Sequence, residues 1–161
     1  MHVGIANSED FAPPNLYVES IIRVKFYGTP IPRQSHRTTF KGGVSRTYDP
    51  QAKEMERLRE EAWGQLETTH QPWDKLTPVI VEIDNFFKIP ISWNESKKNM
   101  AEEGQLSHIY APDCDNLAKL YLDVVKGIVF KDDSQIVKLK VNKYYSTVSS
   151  VVITCYKMIL L

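Results

Sequence analysis

Hydrophobic and polar residues alternate along residues 21–27, 78–88 and 136–145. Alternation with a period of two predicts β-strands that have one buried and one exposed face. A further apolar stretch, residues 149–158, follows a short polar turn. It predicts a last strand that pairs antiparallel with the strand before it, as a hairpin.

Apolar residues with helical spacing predict two main helices and a short third. The first helix runs from residue 50 to about residue 66, with Asp49 as its N-cap and Pro50 as its first residue. The spacing within residues 92–95 resembles a capping box, which predicts a short helix that ends near residue 103.

The second main helix starts near residue 116 and ends before Gly127, a residue that suits the position after a helix. Either Asp115 or Asn116 can be its N-cap. Its apolar stripe consists of Leu117, Leu120, Tyr121, Val124 and Val125.

Together these elements predict a single α/β or α+β domain with a mixed sheet of about four or five strands. Residues 1–19 show no periodicity and are predicted to be a loose leader, so the domain covers residues 20–161. Residues 28–47, which contain two prolines and the pair Gly42-Gly43, are predicted to form a loop.

Acidic residues occur on both sides of the second main helix. If the backbone is extended from Asp113 to Asp115, the two carboxylates point to one face. Lys119 follows Asp115 by one helical turn and returns to the same face. Asp132 and Asp133 form a turn before the next strand, and they join the first two acids if that strand lies beside them.

Carboxylate oxygens are the ligands that Mg²⁺ and Mn²⁺ prefer. With a lysine nearby, such a cluster has the groups needed for metal-assisted cleavage of a phosphodiester. The same residues also fit structural roles: a helix cap, a solvated ion pair between Asp115 and Lys119, or an ordinary turn at Asp132 and Asp133. On spacing alone, the structural roles are the more common ones.

The net charge is zero, but the charges are unevenly distributed. Residues 1–48 carry six Lys or Arg and three acids, residues 134–161 carry four Lys and no acid, and residues 49–133 carry ten Lys or Arg and seventeen acids. This predicts a basic surface around an acidic centre, which suits a nuclease but also occurs in proteins that bind no nucleic acid. The candidate contacts to a DNA backbone are Arg33, Arg37, Lys41 and Arg46 in the loop, and Lys138, Lys140 and Lys143 on a strand. A solvated surface is the alternative for both groups.

No run of 18 apolar residues is present, so no membrane-spanning helix is expected. The first residues lack the features of a signal peptide, which predicts a cytoplasmic protein. Cys114 and Cys155 lie in apolar stretches without metal-ligand spacing and are predicted to be reduced core residues. Cys114 is expected to point away from the two aspartates that flank it.

Several motifs resemble those of the RusA-type Holliday-junction resolvases, a family often encoded by phages. The most specific are P-D-C-D-N-L-A-K at residues 112–119 and D-D-S-Q-I at residues 132–136. Residues 28–35 resemble the family's Gly-x-Pro-x-Pro entry, and residues 48–50 resemble its Tyr-Thr-Pro. The resemblance covers roughly residues 20–157. It implies a RusA-like fold and a dimeric, Mg²⁺-dependent endonuclease that nicks four-way or branched DNA.

The resemblance also implies roles for individual residues. The family's metal-binding aspartates match Asp113, Asp115 and Asp133, a further acidic position matches Asp132, and the essential lysine matches Lys119. Mg²⁺ is the implied cofactor, with Mn²⁺ as a substitute. Ala111 departs from the family pattern, because many members have Lys or Arg there, which affects one implied contact to the DNA backbone and not the chemistry.

Two other functions remain open: a junction-binding recombination protein without cleavage, and a Mg²⁺-dependent hydrolase of a small phosphate ester. The four acids and Lys119 disfavour a pure binder, because carboxylates repel phosphates. The wide basic surface disfavours a small substrate. A junction has paired strands to cut, which predicts a homodimer with one site per subunit.

Overall fold

The computed structural model describes residues 16–160. Within this range the strands are β1 (Leu16–Tyr27), β2 (Arg37–Lys41), β3 (Val44–Tyr48), β4 (Val79–Lys88), β5 (Ile136–Ser146) and β6 (Ser150–Leu160), and the helices are α1 (Ala52–Gly64), α2 (Glu95–Glu102) and α3 (Cys114–Val125). A 3₁₀ turn, Asp133–Gln135, precedes β5. The predicted fold class, a single α+β domain with a mixed sheet, is confirmed.

Four strands form the main sheet in the order β1-β6-β4-β5. β6 is antiparallel to both β1 and β4, whereas β5 is parallel to β4. A parallel pair needs a long crossover connection, and α2 and α3 supply it between β4 and β5. The predicted hairpin between the last two strands is therefore wrong, because β6 pairs with β1 and β4 instead of with its neighbour in sequence.

The core lies between one face of the main sheet and the helices α1 and α3. Val79, Val81 and Ile83 of β4 are fully buried and belong to the same apolar cluster as Leu117 and Leu120 of α3. Burial of one such side chain contributes about 1.5–3 kcal/mol. This packing fixes α3 against the sheet and leaves the polar residues of its first turn at the surface.

β5 lies at the edge of the main sheet, which changes the exposure of its apolar side chains. Val137 and Leu139 are 50% and 43% exposed, although the alternation predicts that they point inward. They remain exposed because, within residues 16–160, no strand pairs with the outer side of β5.

β1 starts at Leu16, before the predicted strand. Most of the predicted leader, residues 1–15, lies outside the described residues, and residues 16–19 belong to β1. The predicted loop contains an antiparallel hairpin, in which β2 and β3 flank Gly42 and Gly43. Both glycines have positive φ, 60° and 78°, as a tight hairpin turn requires. The alternation does not predict this hairpin, because its short strands have no buried face.

Two helices begin at other residues than expected. The N-cap of α1 is Gln51 instead of Asp49, and the N-cap of α2 is Asn94 instead of Ser92. Asp49 accepts a hydrogen bond from the backbone N–H of Gln51 at 2.8 Å, so it orders the residue just before the helix. Gly127 follows α3 with φ of 75°, as predicted for a residue that ends a helix.

The two cysteines have different surroundings. Cys155 is buried in the core, as predicted, and burial raises the pKa of its thiol to about 12. Cys114 is exposed, so the prediction of a core position is wrong. It is the first residue of α3 and not the middle residue of a strand. None of the helices within residues 16–160 is long and apolar enough to cross a membrane.

Candidate metal site and basic hairpin

Asp113, Asp115 and Lys119 lie together at the N-terminus of α3. Asp113 is the N-cap, but its side chain makes no capping hydrogen bond. Asp115 and Lys119 form an ion pair with 3.7 Å between Oδ2 and Nζ, and their side chains are 68% and 64% exposed. The expected extended backbone across the two aspartates is wrong, because the helix already begins at Cys114.

The N-terminus of α3 adds positive potential to this group. The first N–H groups of a helix have no partner within the helix, and the helix dipole is positive at this end. This potential favours negative charge, whether it comes from carboxylates or from a phosphate. The exposed N-terminus of α3 therefore carries two carboxylates and one ammonium group.

Lys143 holds the loop that leads into α3. Its ammonium donates hydrogen bonds to the backbone carbonyls of Tyr110 and Pro112, the latter at 2.8 Å. Lys143 belongs to β5 and lies opposite Asn85 of β4, so the two bonds tie the loop to the sheet. The sequence does not reveal this role, because the acceptors are 33 and 31 residues away. A contact of Lys143 with DNA stays a prediction.

Asp132 and Asp133 lie near the other end of α3, in the turn before β5. Asp132 is the N-cap of the 3₁₀ turn, and its side chain accepts a hydrogen bond from the Ser134 N–H at 3.0 Å. Hydrogen bonds from the Ser134 side chain and backbone hold the pKa of the Asp132 carboxyl below its usual range. Asp133 pairs with Lys126, with 3.0 Å between Oδ2 and Nζ.

Gln135 fixes the shape of this acidic turn and is only 4% exposed. Its Oε1 accepts hydrogen bonds from the N–H groups of Lys131 and Asp132, at 2.8 Å each. Its Nε2 donates to the carbonyls of Asp74 and Thr77, at 2.7 and 3.1 Å. The sequence-based expectations missed this role, although the spacing of Asp132 and Gln135 is that of a capping box.

The two acidic pairs do not meet within one chain. Asp115 lies in the first turn of α3, whereas Asp133 binds Lys126, beyond the last turn. Asp115 and Lys126 are therefore about 16 Å apart along the helix axis, at 1.5 Å per residue. Among residues 16–160, no three His, Cys, Asp or Glu side chains form a group that could hold a metal ion. The four acids therefore form no single cluster among residues 16–160, and the metal-binding role of each acid stays a prediction.

The hairpin of β2 and β3 is basic on one face. Every residue of both strands is exposed, and neither strand contains an acid. The register pairs Arg37 with Tyr48, Thr39 with Arg46, and Lys41 with Val44. Paired residues of an antiparallel ladder lie on the same face, and so do alternate residues of one strand. The three cations that share this face are Arg37, Lys41 and Arg46.

Arg33 anchors the base of the hairpin. Its Nη2 lies 2.7 Å from Oδ2 of Asp49, and its Nε lies 3.2 Å from Oδ2 of Asp123 in α3. The hydrogen bond from Arg33 is the main reason that the pKa of Asp49 falls to about 2. Arg33 precedes the hairpin and Asp49 follows it, so this contact ties both ends to α3. With its side chain 16% exposed, Arg33 offers less surface to a phosphate than the three cations of the hairpin.

Lys138 and Lys140 lie on the face of the sheet opposite to α3. They pair with Ile80 and Glu82, which alternate along β4 with the residues of the helix-facing core. Lys140 forms an ion pair with Glu82, with 2.8 Å between Nζ and Oε1. Burial raises the pKa of Asp84 on the same face. A role of Lys138 and Lys140 in DNA binding stays a prediction. Both lysines lie on the sheet face that points away from α3.

The chain is similar to a known protein family and to a bacterial protein. A family model described as endodeoxyribonuclease RusA matches residues 27–156, a range that contains both acidic pairs, Lys119 and the basic hairpin. The chain is also 30% identical over 128 residues to a protein of Bacillus subtilis (strain 168) named "Uncharacterized protein YqaN". That match covers 78% of this chain and 88% of the relative.

Proposed function

Because the chain belongs to the RusA endodeoxyribonuclease family, we propose that it is a Mg²⁺-dependent endonuclease that nicks four-way and other branched DNA. The observation that carries the proposal is the exposed group of Asp113, Asp115 and Lys119 at the N-terminus of α3. Their side chains neither cap the helix nor fill the core. These side chains therefore remain accessible to an ion and to a phosphate.

The carboxylates fit a hard divalent cation. Mg²⁺ is usually bound through one or two carboxylates, and water and substrate phosphates complete its coordination. Asp113 and Asp115 meet this requirement, and Asp133 with Asp132 offers the same donor chemistry at the other end of α3. When bound, the ion supplies charge stabilisation at the phosphoryl group and an activated water. Mn²⁺ has the same preference for oxygen ligands and is expected to substitute.

Lys119 supplies a positive charge beside the reacting phosphate. Its ammonium lies 3.7 Å from Asp115, so the helix holds it next to the proposed metal ligands. The side chain is largely exposed and can turn toward a phosphate oxygen. Negative charge on the phosphoryl oxygens increases in the transition state. A cation beside these oxygens therefore stabilises the transition state more than the bound substrate, and this lowers the barrier.

A homodimer gives the separated acidic pairs a way to meet. A two-fold axis places the same surface of two subunits against each other. With the two α3 helices antiparallel beside that axis, Asp113 and Asp115 of one subunit approach the acidic turn of the other. Such a dimer has two composite sites, one for each strand that a resolvase cuts.

The basic hairpin and the acids weigh against the two alternative functions. Arg37, Lys41 and Arg46 form an exposed row that suits a DNA backbone, and a small phosphate ester needs no such row. A binding protein without nuclease activity gains affinity when carboxylates near the phosphates are lost. This chain has two exposed aspartates at the N-terminus of α3, a position that favours a phosphate.

The direct test is cleavage of an end-labelled four-way junction beside a linear duplex of the same sequence, with Mg²⁺ or with EDTA. We expect paired nicks in the junction only with the ion. Asp115→Asn should lower the rate about 10²–10³-fold, the usual cost of one group that stabilises a transition state. Glu56→Gln, which removes an exposed acid from α1, is the matched control and should keep the activity.

Two outcomes would contradict the proposal. Tight junction binding without nicks, in Mg²⁺ and in Mn²⁺, would favour a binding protein. Absence of both binding and cutting would contradict a branched DNA substrate.

A further inference from the structure

A pocket lined by aromatic side chains lies beside the loop that leads into α3. Its volume is 460 Å³, within the range of about 300–1,000 Å³ that is usual for sites of small ligands. We propose that this pocket receives an unstacked nucleobase of the branched DNA. The proposal rests on the proposed nuclease function and adds a base-binding site to it. The aromatic residues of the pocket are Phe87, Trp93, His108, Tyr110 and Tyr145.

The rings of the pocket support one another. His108 stacks on Phe87 with ring centroids 3.9 Å apart, and it lies tilted against Tyr145 at 5.0 Å. Trp93 meets Tyr145 edge to face at 5.1 Å. Rings that are already held in place lose little conformational freedom when a flat ligand stacks on them. Stacking on aromatic side chains is also the general way in which proteins hold unpaired bases, whatever the sequence.

His108 adds a polar group that suits the edge of a base. Burial lowers the pKa of His108, and the ammonium of Lys143 lowers it further, so the imidazole is neutral at pH 7 and keeps one acceptor nitrogen. Its Nδ1 is buried and has no hydrogen-bond partner among residues 16–160. Because this atom has no exposed surface, the aromatic rings are the part of the pocket that a base can contact.

The charges near the pocket favour a nucleotide over an apolar ligand. Lys88 lines the pocket, and Nζ of Lys97 lies 3.8 Å from the centroid of the Trp93 ring. None of the described residues that line the pocket is acidic. Ammonium groups beside an aromatic wall match a base that carries a phosphate. An apolar peptide side chain would not use these charges.

The pocket is close to the proposed metal ligands. Tyr110, in its wall, is three residues before Asp113, so the two Cα atoms are at most about 11 Å apart. A strand of duplex DNA advances about 3.4 Å per nucleotide. A base within about three nucleotides of the cleaved phosphate can therefore reach the pocket once it leaves the stack. Unpaired bases at a branch point cost the least to unstack.

The indole N–H signals of the three tryptophans test the pocket directly. A short single-stranded oligothymidylate is titrated into the ¹⁵N-labelled protein without a divalent ion, so that no strand is cut. We expect the signal of Trp93 to shift, while the signals of Trp63, on α1, and of the buried Trp73 stay in place. An unmoved Trp93 signal at a large excess of oligonucleotide would overturn the proposal.

Affinity measurements on variants give a second readout. Trp93→Ala should weaken binding of the oligothymidylate by roughly 5- to 140-fold, which corresponds to the loss of one base–aromatic stack. Trp93→Phe should keep most of the affinity, because a ring remains. Trp63→Ala is the control, since Trp63 also adjoins a histidine, His70, but lies outside the pocket. Equal affinities of Trp93→Ala and Trp63→Ala would contradict a base-binding role of Trp93.

Junction cleavage by the unmodified protein separates this proposal from the nuclease proposal. Nicks without a shift of the Trp93 signal would overturn the base-binding site and leave the nuclease intact. A shift of the Trp93 signal without nicks would support the base-binding site and contradict the nuclease.

Discussion

Single residues near the candidate site divide into those that position the acids and those that can react. Lys143 binds two carbonyls of the loop before α3, and Gln135 binds four backbone groups around the acidic turn. Asp113, Asp115 and Asp133 are exposed. A side chain that hydrogen-bonds several backbone groups fixes the local backbone conformation. An exposed carboxylate, by contrast, is accessible to an ion. Substitutions can separate the two roles.

Lys143→Met tests the positioning role of this lysine, because methionine keeps much of the apolar stem and removes the ammonium. The loop before Asp113 then loses two bonds to β5. Since a shift of about 1 Å in a reacting group can cost about 10²-fold, we expect junction cleavage to fall at least about 10-fold. The salt dependence of junction affinity separates this role from the predicted DNA contact, because it stays unchanged if Lys143 only positions the loop. A decrease of the salt slope by about 0.9 would show that Lys143 contacts a phosphate and would contradict the positioning role.

Gln135→Ala tests the support of the acidic turn. The substitution leaves buried N–H and C=O groups without partners, which should lower the free energy of unfolding by about 2–3 kcal/mol in urea titrations. Gln105→Ala is the control, because Gln105 is exposed and its side chain bonds only to Glu103 among the hydrogen bonds described. A loss of about 0.5 kcal/mol or less for Gln135→Ala would mean that the turn keeps its shape without this side chain.

At the scale of elements, the sequence predicts each strand or helix that has one buried face. β4 alternates, and α3 has a buried stripe at helical spacing, so both were predictable. The pairing of β6 was not, because its partners β1 and β4 are remote in sequence. The first turn of α3 was also misjudged, since the spacing of Asp113 and Asp115 fits both a strand end and a helix start. The identities of the site residues come from the motif resemblance, whereas their separation depends on the length of α3.

The predicted role of the basic hairpin can be tested by substitutions that leave the core intact, because the hairpin residues are exposed. The triple variant Arg37→Ala, Lys41→Ala and Arg46→Ala should reduce the slope of log affinity against log salt by about 3, because each phosphate contact contributes about 0.9. Junction and duplex should lose affinity together, since backbone contacts carry no sequence information. The unfolding free energy should stay constant, because the hairpin residues are exposed.

The control for the hairpin is the pair Lys25→Ala and Lys53→Ala, which removes exposed cations on β1 and α1. Its salt slope should match that of the unmodified protein. Equal slopes for the control and the triple variant would contradict a role of the hairpin in DNA binding.

At the scale of the whole molecule, the length of α3 determines how a complete metal site can form. The helix places Asp115 and Lys126, the partner of Asp133, about 16 Å apart along its axis, and the described residues of one chain contain no group of three ligands. The range that the RusA family model matches nevertheless contains both pairs. The homodimer that we propose, with composite sites, would reconcile these two facts, and nuclease activity would then depend on the dimer.

Mixed dimers of Asp115→Asn and Asp133→Asn test this arrangement most directly. Each variant alone has one damaged acid in both of its sites, so each should be nearly inactive on a labelled junction. In a composite arrangement, a mixed dimer has one site with both substitutions and one site with neither. Random mixing should therefore restore nicks in one strand at a time, with about a quarter of all sites intact. If each site lies within a single chain, every site of the mixture lacks one acid, and a mixture as inactive as its parts would contradict the composite site.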